Sequence, residues 1–413
     1  MTVKSTKTVA IIGQGYVGLP LAVAAATAGW KVIGVDSLES KVAKINSGSS
    51  PVEDVSDYVL RDFLSQNLYE ATTDFSRVGE ANVIVICVPT PLNDLREPDL
   101  KLLINATERI AQFAADETLI VTESTSFPGT LREIIIPIFI KSESQAVRKL
   151  YFATAPERVN PGDTTWNQKN TPRLVGAIDK ESEEKAMEFY RSICDVAIGV
   201  STPEIAEAAK LLENTFRLVN IALVNEFTRL CEKSSINVHE VIDAASTKPY
   251  GFMPFRPGVG VGGHCIPVDP MYLTWWAKGK GIRADLIELS DLTNRAMPAY
   301  VAERIMALSG RSSASPRVLI LGVAYKSGVS DVRETPALEL RDELVKRGAI
   351  VAWHDPLVSD WEDSKCEAIT WPCDVAVVAT LQPGMEIITL IEAGVKVLDC
   401  TNSFASESRV SQL

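Results

Sequence analysis

The sequence predicts an α/β protein in which two parallel-sheet domains are joined by a long central helix. Short apolar runs alternate with helical stretches in the first segment, which is typical of βαβ units. A long helical pattern without a breaker follows residue 203, and the alternation returns in the last third. A chain of 413 residues is long enough for two or three domains with their own cores. The expected division is 1–200, 201–300 and 301–413.

Four short runs in the first segment are rich in β-branched residues and are bounded by turn residues. They are "TVAIIG" (8–13), "KVIGVD" (31–36), "NVIVICVP" (82–89) and "TLIVTEST" (118–125). Longer patterned stretches separate them, as expected for strands of one parallel sheet with helical crossovers.

The central helix is predicted from Pro203 to Lys233. Proline suits the first position of a helix, and Ser201 or Thr202 is available as a cap. Apolar residues then recur at steps of three and four: Ile205, Ala208, Leu212, Phe216, Val219, Leu223, Phe227 and Leu230. We expect this stripe to be the buried side of the helix, suited to a spine between domains or to a dimer interface.

The last third contains four further strand-like runs after the loop "GRSSASP" (310–316). They are "PRVLILGVAYK" (316–326), "AIVAWHDP" (349–356), "DVAVVAT" (374–380) and "VKVLDC" (395–400). They predict a second parallel sheet.

Composition excludes several classes of function. The net charge of −12 argues against a nucleic-acid surface, which needs a basic stripe. Residues 8–30 carry no charge, but four glycines and a proline break the run, so no membrane span is expected. Seven scattered cysteines without a CxxC pair, and only three histidines, indicate neither a disulfide framework nor a metal site. Reduced thiols favour a cytoplasmic protein.

A dinucleotide signature follows the first strand. In "VAIIGQGYVGLP", Gly13, Gly15 and Gly18 form G-x-G-x-x-G between a strand and a helix. The first glycine allows a tight turn, the second lets a pyrophosphate approach the backbone, and the third lets the helix pack on the strand. Asp36 ends the next strand, where a carboxylate accepts hydrogen bonds from the ribose and repels a 2′-phosphate. This favours NAD over NADP, with FAD as a lesser rival, in a Rossmann-like domain.

A glycine-rich loop near the middle of the chain carries a single cysteine. Cys265 lies in "GVGVGGHCIPVDP", where the backbone can approach a ligand closely. In a protein that binds NAD, such a thiol suggests attack on an aldehyde to give a thiohemiacetal and then a thioester. The alternative is an inert thiol on a tight turn.

Seven motifs in order make the chain resemble the UDP-glucose/GDP-mannose dehydrogenase family. They are "IIGQGYVGLPLA", "CVPTPL", "ESTSFPGT", "APERVNPGD", "EAAKLLENTFR", "GVGVGGHCIPVDP" and "YKSGVSDVRETPAL", and the resemblance covers residues 8 to 400 approximately. The family oxidises a primary alcohol at sugar C6 to a carboxylate, using two NAD+. The resemblance implies an NAD-binding domain at 1–200, a helical dimerisation domain at 201–300 and a UDP-sugar domain at 301–413.

The resemblance also implies catalytic roles. Cys265 would be the nucleophile, and Asp269 would help activate the thiol or the hydrolytic water. Lys210 and Asn214 would stabilise the oxyanion, and because they lie four residues apart they share one helix face, which we expect opposite the apolar stripe. Thr125 would assist proton removal through water, and Glu157 would serve the hydrolytic step. Some relatives carry a second glutamate four positions later, where Pro161 stands here, so that role does not transfer.

Binding residues follow from the same motifs. For the cofactor they are Gly13, Gly15, Tyr16, Val17, Gly18, Asp36, Pro89, Thr90, Thr125 and Arg333. For the nucleotide-sugar they are Glu157, Arg158, Lys210, Asn214, Arg256, Gly262 and Lys326. The charges of Lys326 and Arg333 suit the diphosphates of the two ligands, although residue type alone is equally compatible with exposed side chains.

The motifs "PERVNPG" and "GGHCIPVDP" look like the branch that acts on N-acetylhexosamines, and residues 246–258 are similar to members that oxidise UDP-N-acetylglucosamine. UDP-N-acetylmannosamine is the alternative, and UDP-N-acetylgalactosamine and UDP-glucose stay open. The expected product is a uronic acid for surface polysaccharide, made by a cytoplasmic homodimer.

Two other classes of protein were weighed against this interpretation. A 3-hydroxyacid dehydrogenase also joins a Rossmann domain to a long helix, but needs neither the Cys265 loop nor a second α/β domain. A non-catalytic sensor of NAD or UDP-sugar would keep the glycines but has no need of Cys265, Lys210 and Asn214 together.

Overall fold

The computed structural model describes residues 7–142, 148–159, 165–310, 315–404 and 407–413. The chain divides into two compact units, Met1–Leu212 and Glu213–Leu413. Pro161 lies outside the described residues. The three-part division with boundaries at 201 and 301 stays a prediction.

The first unit contains eight strands and six helices among its described residues. The strands are β1 (Thr8–Ile12), β2 (Lys31–Val35), β3 (Tyr69–Thr72), β4 (Val83–Ile86), β5 (Leu119–Thr122), β6 (Tyr151–Thr154), β7 (Arg173–Ala177) and β8 (Ala197–Val200). The helices are α1 (Gly18–Thr27), α2 (Glu39–Asn46), α3 (Asp57–Ser65), α4 (Lys101–Phe113), α5 (Ile136–Ser142) and α6 (Lys180–Ile193), with helical turns at Phe75–Glu80 and Leu131–Ile135.

These strands form one sheet in the order β3-β2-β1-β4-β5-β6-β7-β8, which is parallel except where β7 runs antiparallel to β6. Successive residues of β1 point to opposite faces: Val9 and Ile11 pack with α1 and α6, whereas Ala10 and Ile12 pack with α4. Both faces are therefore covered, which explains why the strands are almost continuously apolar. The four strands expected from the sequence all form, and the carboxyl ends of β1, β4 and β5 lie side by side.

The second unit contains a smaller sheet. After α7 (Pro203–Lys233) come α8 (Val238–Ser246), α9 (Asp269–Gly279), α10 (Asp285–Arg295), α11 (Met297–Ser309), α12 (Pro336–Lys346) and α13 (Ile388–Glu392). The strands are β9 (Arg317–Leu321), β10 (Ile350–His354), β11 (Asp360–Trp361), β12 (Ser364–Lys365), β13 (Val375–Val378), β14 (Lys396–Asp399) and β15 (Val410–Gln412). The order β10-β9-β13-β14-β15 is parallel throughout, as predicted, and β11 and β12 form a separate small hairpin.

The first turn of each sheet is built in the same way. The amide of Gly13 donates to Val35 at the end of β2, and the amide of Gly322 donates to His354 at the end of β10. An aspartate one residue later accepts from the turn: Asp36 from the amide of Gln14, and Asp355 from the amides of Val323 and Ala324. The two central turns are thus fixed by the same combination of a positive-φ glycine and a buried carboxylate.

The central helix forms at the predicted bounds, but the predicted burial of its apolar stripe is wrong for this chain alone. Leu212 and Leu223 are 65% and 63% exposed, and Ile205, Phe216, Phe227 and Leu230 are exposed as well. The other side of α7 is covered, with Leu211 and Leu218 fully buried. Helical periodicity identifies residues that share a face, but it does not say whether their partner belongs to the same chain.

Within the described part of the chain, no helix is both long enough and apolar enough to cross a membrane.

Candidate active site

The glycine turn after β1 has the geometry that a pyrophosphate site requires. A Cβ on Gly13, where φ is +94°, would lie 2.7 Å from the carbonyl oxygen of Cys87, and one on Gly18 would lie 1.8 Å from that of Gly13. Neither position accepts a side chain. At Gly15 a Cβ would meet no atom within 4 Å, so the backbone there is open to a ligand. Tyr16 and Val17 lead from this opening into α1.

Asp36 is held in place at the end of β2. Its carboxylate is buried and accepts hydrogen bonds from the amides of Gln14 (2.9 Å) and Leu38 (3.0 Å). Lys41 forms an ion pair with it at 2.8 Å. The side chain of Gln14 is itself held in place, because its Oε1 accepts a hydrogen bond from the hydroxyl of Tyr69 at 2.8 Å. An oriented carboxylate beside an open glycine backbone fits the ribose and pyrophosphate of NAD.

The predicted residues of the next two loops lie at the carboxyl ends of neighbouring strands. Pro89 and Thr90 follow β4, and Thr125 follows β5. The Ser124 hydroxyl joins the two loops by donating to the carbonyl of Val88 at 2.7 Å. Thr125 is half-buried and Thr90 is buried. Ligands of open α/β sheets bind at this edge.

Glu157 is buried behind these loops with both carboxylate oxygens engaged. Oε1 accepts from the amides of Arg158 and Val159, and Oε2 accepts from the Gln168 side chain (2.8 Å) and from Arg173 (2.9 Å). Burial raises the pKa of this carboxyl, but the Arg173 charge, these hydrogen bonds and the charge of Lys210 hold it below its ordinary value. Glu157 is therefore an ionised carboxylate in fixed orientation.

Arg173 joins Glu157 to a second carboxylate that sequence reasoning missed. Its guanidinium is 2% exposed and also contacts Glu123 at 3.2 Å, and Glu123 accepts from the Tyr190 hydroxyl at 2.6 Å. Burial raises the pKa of Glu123 to about 7. The positive charge of Arg173 opposes this rise, and the negative charge of Glu157 adds to it. Arg173 begins a strand, and its residue type does not indicate burial. The sequence signal that could have identified Glu123 as a site residue is the motif "ESTSFPGT", which contains it.

Two side chains of α7 belong to the first unit. Lys210 is buried, on the side of α7 opposite the exposed apolar stripe, and its charge lowers the pKa of both Glu123 and Glu157. Glu207, which sequence reasoning missed, accepts from the amides of Gly129 (2.6 Å) and Leu131 (3.2 Å). It therefore fixes the backbone that follows Thr125. Its pKa is raised to about 8 by burial, which outweighs these two hydrogen bonds.

In the second unit the Cys265 loop is tightly fitted, while Cys265 itself is an exposed residue. A Cβ on Gly262 would lie 2.8 Å from the carbonyl oxygen of Glu334, and one on Gly263 would lie 2.6 Å from the Tyr325 ring. The Gly263 amide also donates to the carbonyl of Arg333 at 3.2 Å. The glycines thus let the loop pack against the segment that carries Lys326 and Arg333.

Asp269 and Asn214 lie at the other end of the same loop. The Asp269 amide donates to the carbonyl of Cys265 at 2.9 Å, and Asp269 Oδ2 accepts from the Asn214 side chain at 2.6 Å. The start of the loop is held by the buried Asn225, which accepts from the Gly258 amide and donates to Asn294 on α10. The structure therefore brings Cys265, Asp269 and Asn214 together.

The remaining predicted binding residues are placed within their own units. Arg158 is half-buried and donates to the carbonyl of Pro172 at 3.0 Å. Arg256 pairs with Asp243 and donates to the carbonyl of His239. Arg333 is exposed and its guanidinium donates to both carboxylate oxygens of Asp331, and Lys326 is half-buried beside Tyr325. Their contacts with ligands stay predictions.

Comparison with known proteins agrees with this geometry. Three domain profiles of the UDP-glucose/GDP-mannose dehydrogenase family match the chain: the NAD binding domain at 7–194, the central domain at 204–296 and the UDP binding domain at 319–402. A Methanococcus maripaludis protein named UDP-N-acetyl-D-mannosamine dehydrogenase is 36% identical over 86% of this chain and 81% of its own length.

Two further relatives are informative. A Salmonella typhi protein named UDP-N-acetyl-D-glucosamine 6-dehydrogenase is 35% identical over 85% of this chain and 82% of its own length. The solved structure of a UDP-D-ManNAc dehydrogenase from Pyrococcus horikoshii matches with a TM-score of 0.85 and 31% identity, over 96% of this chain and 95% of the other. The chain therefore belongs to the UDP-glucose/GDP-mannose dehydrogenase family, and it is an NAD-dependent nucleotide-sugar dehydrogenase.

Proposed function

We propose that this enzyme oxidises the C6 hydroxymethyl group of a UDP-N-acetylhexosamine to a carboxylate, through an aldehyde and a thioester on Cys265. The observation that carries the proposal is the thiol itself. Cys265 is exposed, on a loop whose backbone is bonded to Asp269 and packed on Tyr325. A cysteine that served packing alone would be buried.

The turn at Gly13, Gly15 and Gly18 and the carboxylate of Asp36 would hold the cofactor. Bound NAD+ supplies a hydride acceptor for each of the two oxidations. In the first, the C6 alcohol loses its hydroxyl proton and a hydride to become the aldehyde, and Thr125 would assist removal of the proton through water.

Cys265 turns the aldehyde into an acyl group. The thiolate adds to the aldehyde carbon, and the resulting thiohemiacetal loses its hydroxyl proton and a hydride to become a thioester. Lys210 and Asn214 would stabilise the oxyanion that forms on the sugar oxygen. Water then adds to the thioester carbon and the C–S bond breaks. The sulfur leaves as thiolate, and one proton of the water passes to Glu157, with Asp269 helping to activate the thiol or the water.

Two sugars are the leading candidates. The similarity of residues 246–258 to UDP-N-acetylglucosamine enzymes supports the glucosamine. The Methanococcus and Pyrococcus relatives support N-acetylmannosamine by their names, at 36% and 31% identity. The two sugars differ only in the configuration at C2. Either product, a UDP-N-acetylhexosaminuronic acid, would serve surface polysaccharide.

We further propose a cytoplasmic homodimer. All seven cysteines lie in the described ranges and all are free thiols, as a reducing compartment favours. The outer side of α7 and the side of α10 that bears Leu286, Leu289 and Leu292 expose leucines that are 59–65% accessible. Because α7 and α10 are joined through Asn225 and Asn294, these leucines supply an apolar surface for a second copy.

A panel of nucleotide-sugars tests the proposed function. UDP-N-acetylglucosamine, UDP-N-acetylmannosamine, UDP-N-acetylgalactosamine and UDP-glucose would each be incubated with enzyme and NAD+. We expect about two NADH per sugar for one N-acetylhexosamine, read by absorbance, together with formation of the uronic acid. One NADH per sugar would indicate a simple alcohol dehydrogenase, and none with any UDP-sugar would indicate a sensor.

Cys265→Ala is the matched control. It would abolish acid formation while NAD binding, followed by fluorescence titration, persists, because the residues proposed to hold NAD at the glycine turn and at Asp36 do not include Cys265. Full acid formation by this variant would remove the covalent mechanism.

A further inference from the structure

We propose that Arg173 is a positioning residue that holds Glu157 as an oriented, ionised carboxylate for hydrolysis of the thioester. This inference rests on the proposed function, in which Glu157 accepts a proton from the hydrolytic water. Arg173 lies outside the seven family motifs, and its side chain is too deeply buried, at 2% exposure, to serve as a surface contact for a ligand.

The geometry of the guanidinium is the first argument. One amino group of Arg173 donates to Glu157 Oε2 (2.9 Å) and Gln168 Oε1 (2.6 Å), and the other donates to Glu123 Oε2 (3.2 Å). The planar fork thus spans two buried carboxylates. Since Glu123 is itself fixed by Tyr190, the fork cannot turn without breaking both contacts.

The donors of Glu157 are the second argument. A carboxylate offers about four positions for hydrogen bonds, and all four are filled by Arg158, Val159, Gln168 and Arg173. A base that receives a proton from water must exchange one of these donors for that water. Gln168 is the donor that suits exchange, because it is neutral and half-buried, whereas Arg173 carries the charge that offsets the burial of Glu157.

The surrounding charges define what the removal of Arg173 would do. The titratable groups coupled to Glu157 come from five parts of the first unit: Arg173 on β7, Glu123 after β5, Lys210 on α7, Cys194 after α6, and Cys87 after β4. Of these, only Arg173 and Lys210 are cations. Without Arg173, burial and the Glu123 charge would favour the protonated form of Glu157, which cannot take a proton from water.

The experiment compares pH profiles of acid formation. The rate of acid formation falls on the acidic side of the profile as Glu157 becomes protonated. In Arg173→Gln we expect this fall to occur at a pH about one to three units higher than in the wild type, and in Arg173→Lys the shift should be smaller. Protein quenched during turnover would carry the UDP-sugar acyl adduct on Cys265, seen as an added mass on the intact chain, because hydrolysis is slowed. The KM for the UDP-sugar should fall together with kcat, because the enzyme accumulates as the adduct.

Glu123→Gln is the control of opposite sign. It removes an anion beside Glu157 while Arg173 stays, so the acidic limb should not move upward. If Arg173→Gln does not fold, Arg173→Lys carries the test, since it keeps a cation in the buried site.

Three outcomes overturn the inference. One is a folded Arg173 variant that has a lower rate at every pH but the same pH dependence as the wild type. That result would show that Arg173 supports the fold and not the charge of Glu157. A variant that accumulates no adduct would place its defect before hydrolysis. A wild-type enzyme that forms no acid from any UDP-sugar would overturn the proposed function and this inference together.

Discussion

Gly15 and Gly18 stand three residues apart in one turn, but a methyl group at each would meet different surroundings. At Gly18 the Cβ would lie 1.8 Å from a carbonyl oxygen, and at Gly15 it would meet no atom within 4 Å. Gly15 also has no positive φ, so alanine fits its backbone. The two glycines therefore have separable roles, one in the fold and one in ligand approach.

We expect Gly15→Ala to fold with stability within about 1 kcal/mol of the wild type while its affinity for NAD falls tenfold or more. Gly18→Ala should lose at least about 2 kcal/mol of unfolding free energy, because the helix must move off the strand. Urea denaturation and NAD titration of both variants measure the two effects. Unchanged NAD affinity in Gly15→Ala would show that the pyrophosphate does not approach this backbone.

The side chains of the site differ in how far sequence could predict them. Cys265 and the glycines could be predicted from the sequence. Glycines in such a pattern ordinarily mark a place where a ligand approaches the backbone closely. Arg173 and Glu123 could not be predicted, since charged residues are ordinarily exposed and their pairing depends on strands that are 50 residues apart. Only the folded sheet brings them together.

At the scale of single elements, α7 shows how one helix serves two purposes. The amides at Gly129 and Leu131 need an acceptor, and Glu207 supplies one from the first turns of this helix. The same helix carries Lys210 on its covered side and the exposed leucines on the other.

The raised pKa of Glu207 makes stability depend on pH with a definite sign. Because burial raises the pKa of this group from 4.5 to about 8, the folded chain keeps a proton that the unfolded chain releases. The stabilisation is present below about pH 4.5 and is lost as the pH rises toward 8, and Glu123 acts in the same direction. We expect the unfolding free energy to fall over this interval.

Glu207→Gln imitates the protonated form of Glu207. Urea denaturation at several pH values between about 5 and 8 should therefore show a smaller decrease of the unfolding free energy with pH than in the wild type. Glu204→Gln is the matched control from the same helix. Burial raises the pKa of Glu204, but hydrogen bonds and the charge of Arg132 outweigh burial and lower it. The contribution of Glu204 to the unfolding free energy therefore changes only in more acidic solution. An unchanged slope in Glu207→Gln would show that Glu207 is ionised throughout.

Elements were predictable where their pattern was long or strongly apolar. The bounds of α7 and the central strands β1, β4 and β5 follow from the sequence because both faces of these strands are buried. The strands β3, β6 and β7 were not identified, although they are as long as β1, β4 and β5, since they carry polar side chains such as Glu70, Thr154 and Arg173. Tertiary pairing, and not local preference, makes them strands.

At the scale of the whole molecule, the exposed leucines of the second unit predict association. Leu223 is 63% exposed and Leu289 is 60% exposed on neighbouring helices. We expect Leu223→Glu to convert a dimer into a monomer in sedimentation velocity, because the substitution buries a charge in the interface. Val345→Glu, at a similarly exposed position on α12, should leave the mass unchanged. A Leu223→Glu protein that stays dimeric would place the interface elsewhere.

The shared design of the two sheet turns has a consequence for stoichiometry. The position that corresponds to Gly15 in the second sheet is Ala324, whose methyl group is buried where the first sheet leaves its backbone bare. Of these two turns, the one after β1 leaves an uncovered peptide for a dinucleotide, and the one after β9 does not. Saturation should accordingly end at one NAD per polypeptide.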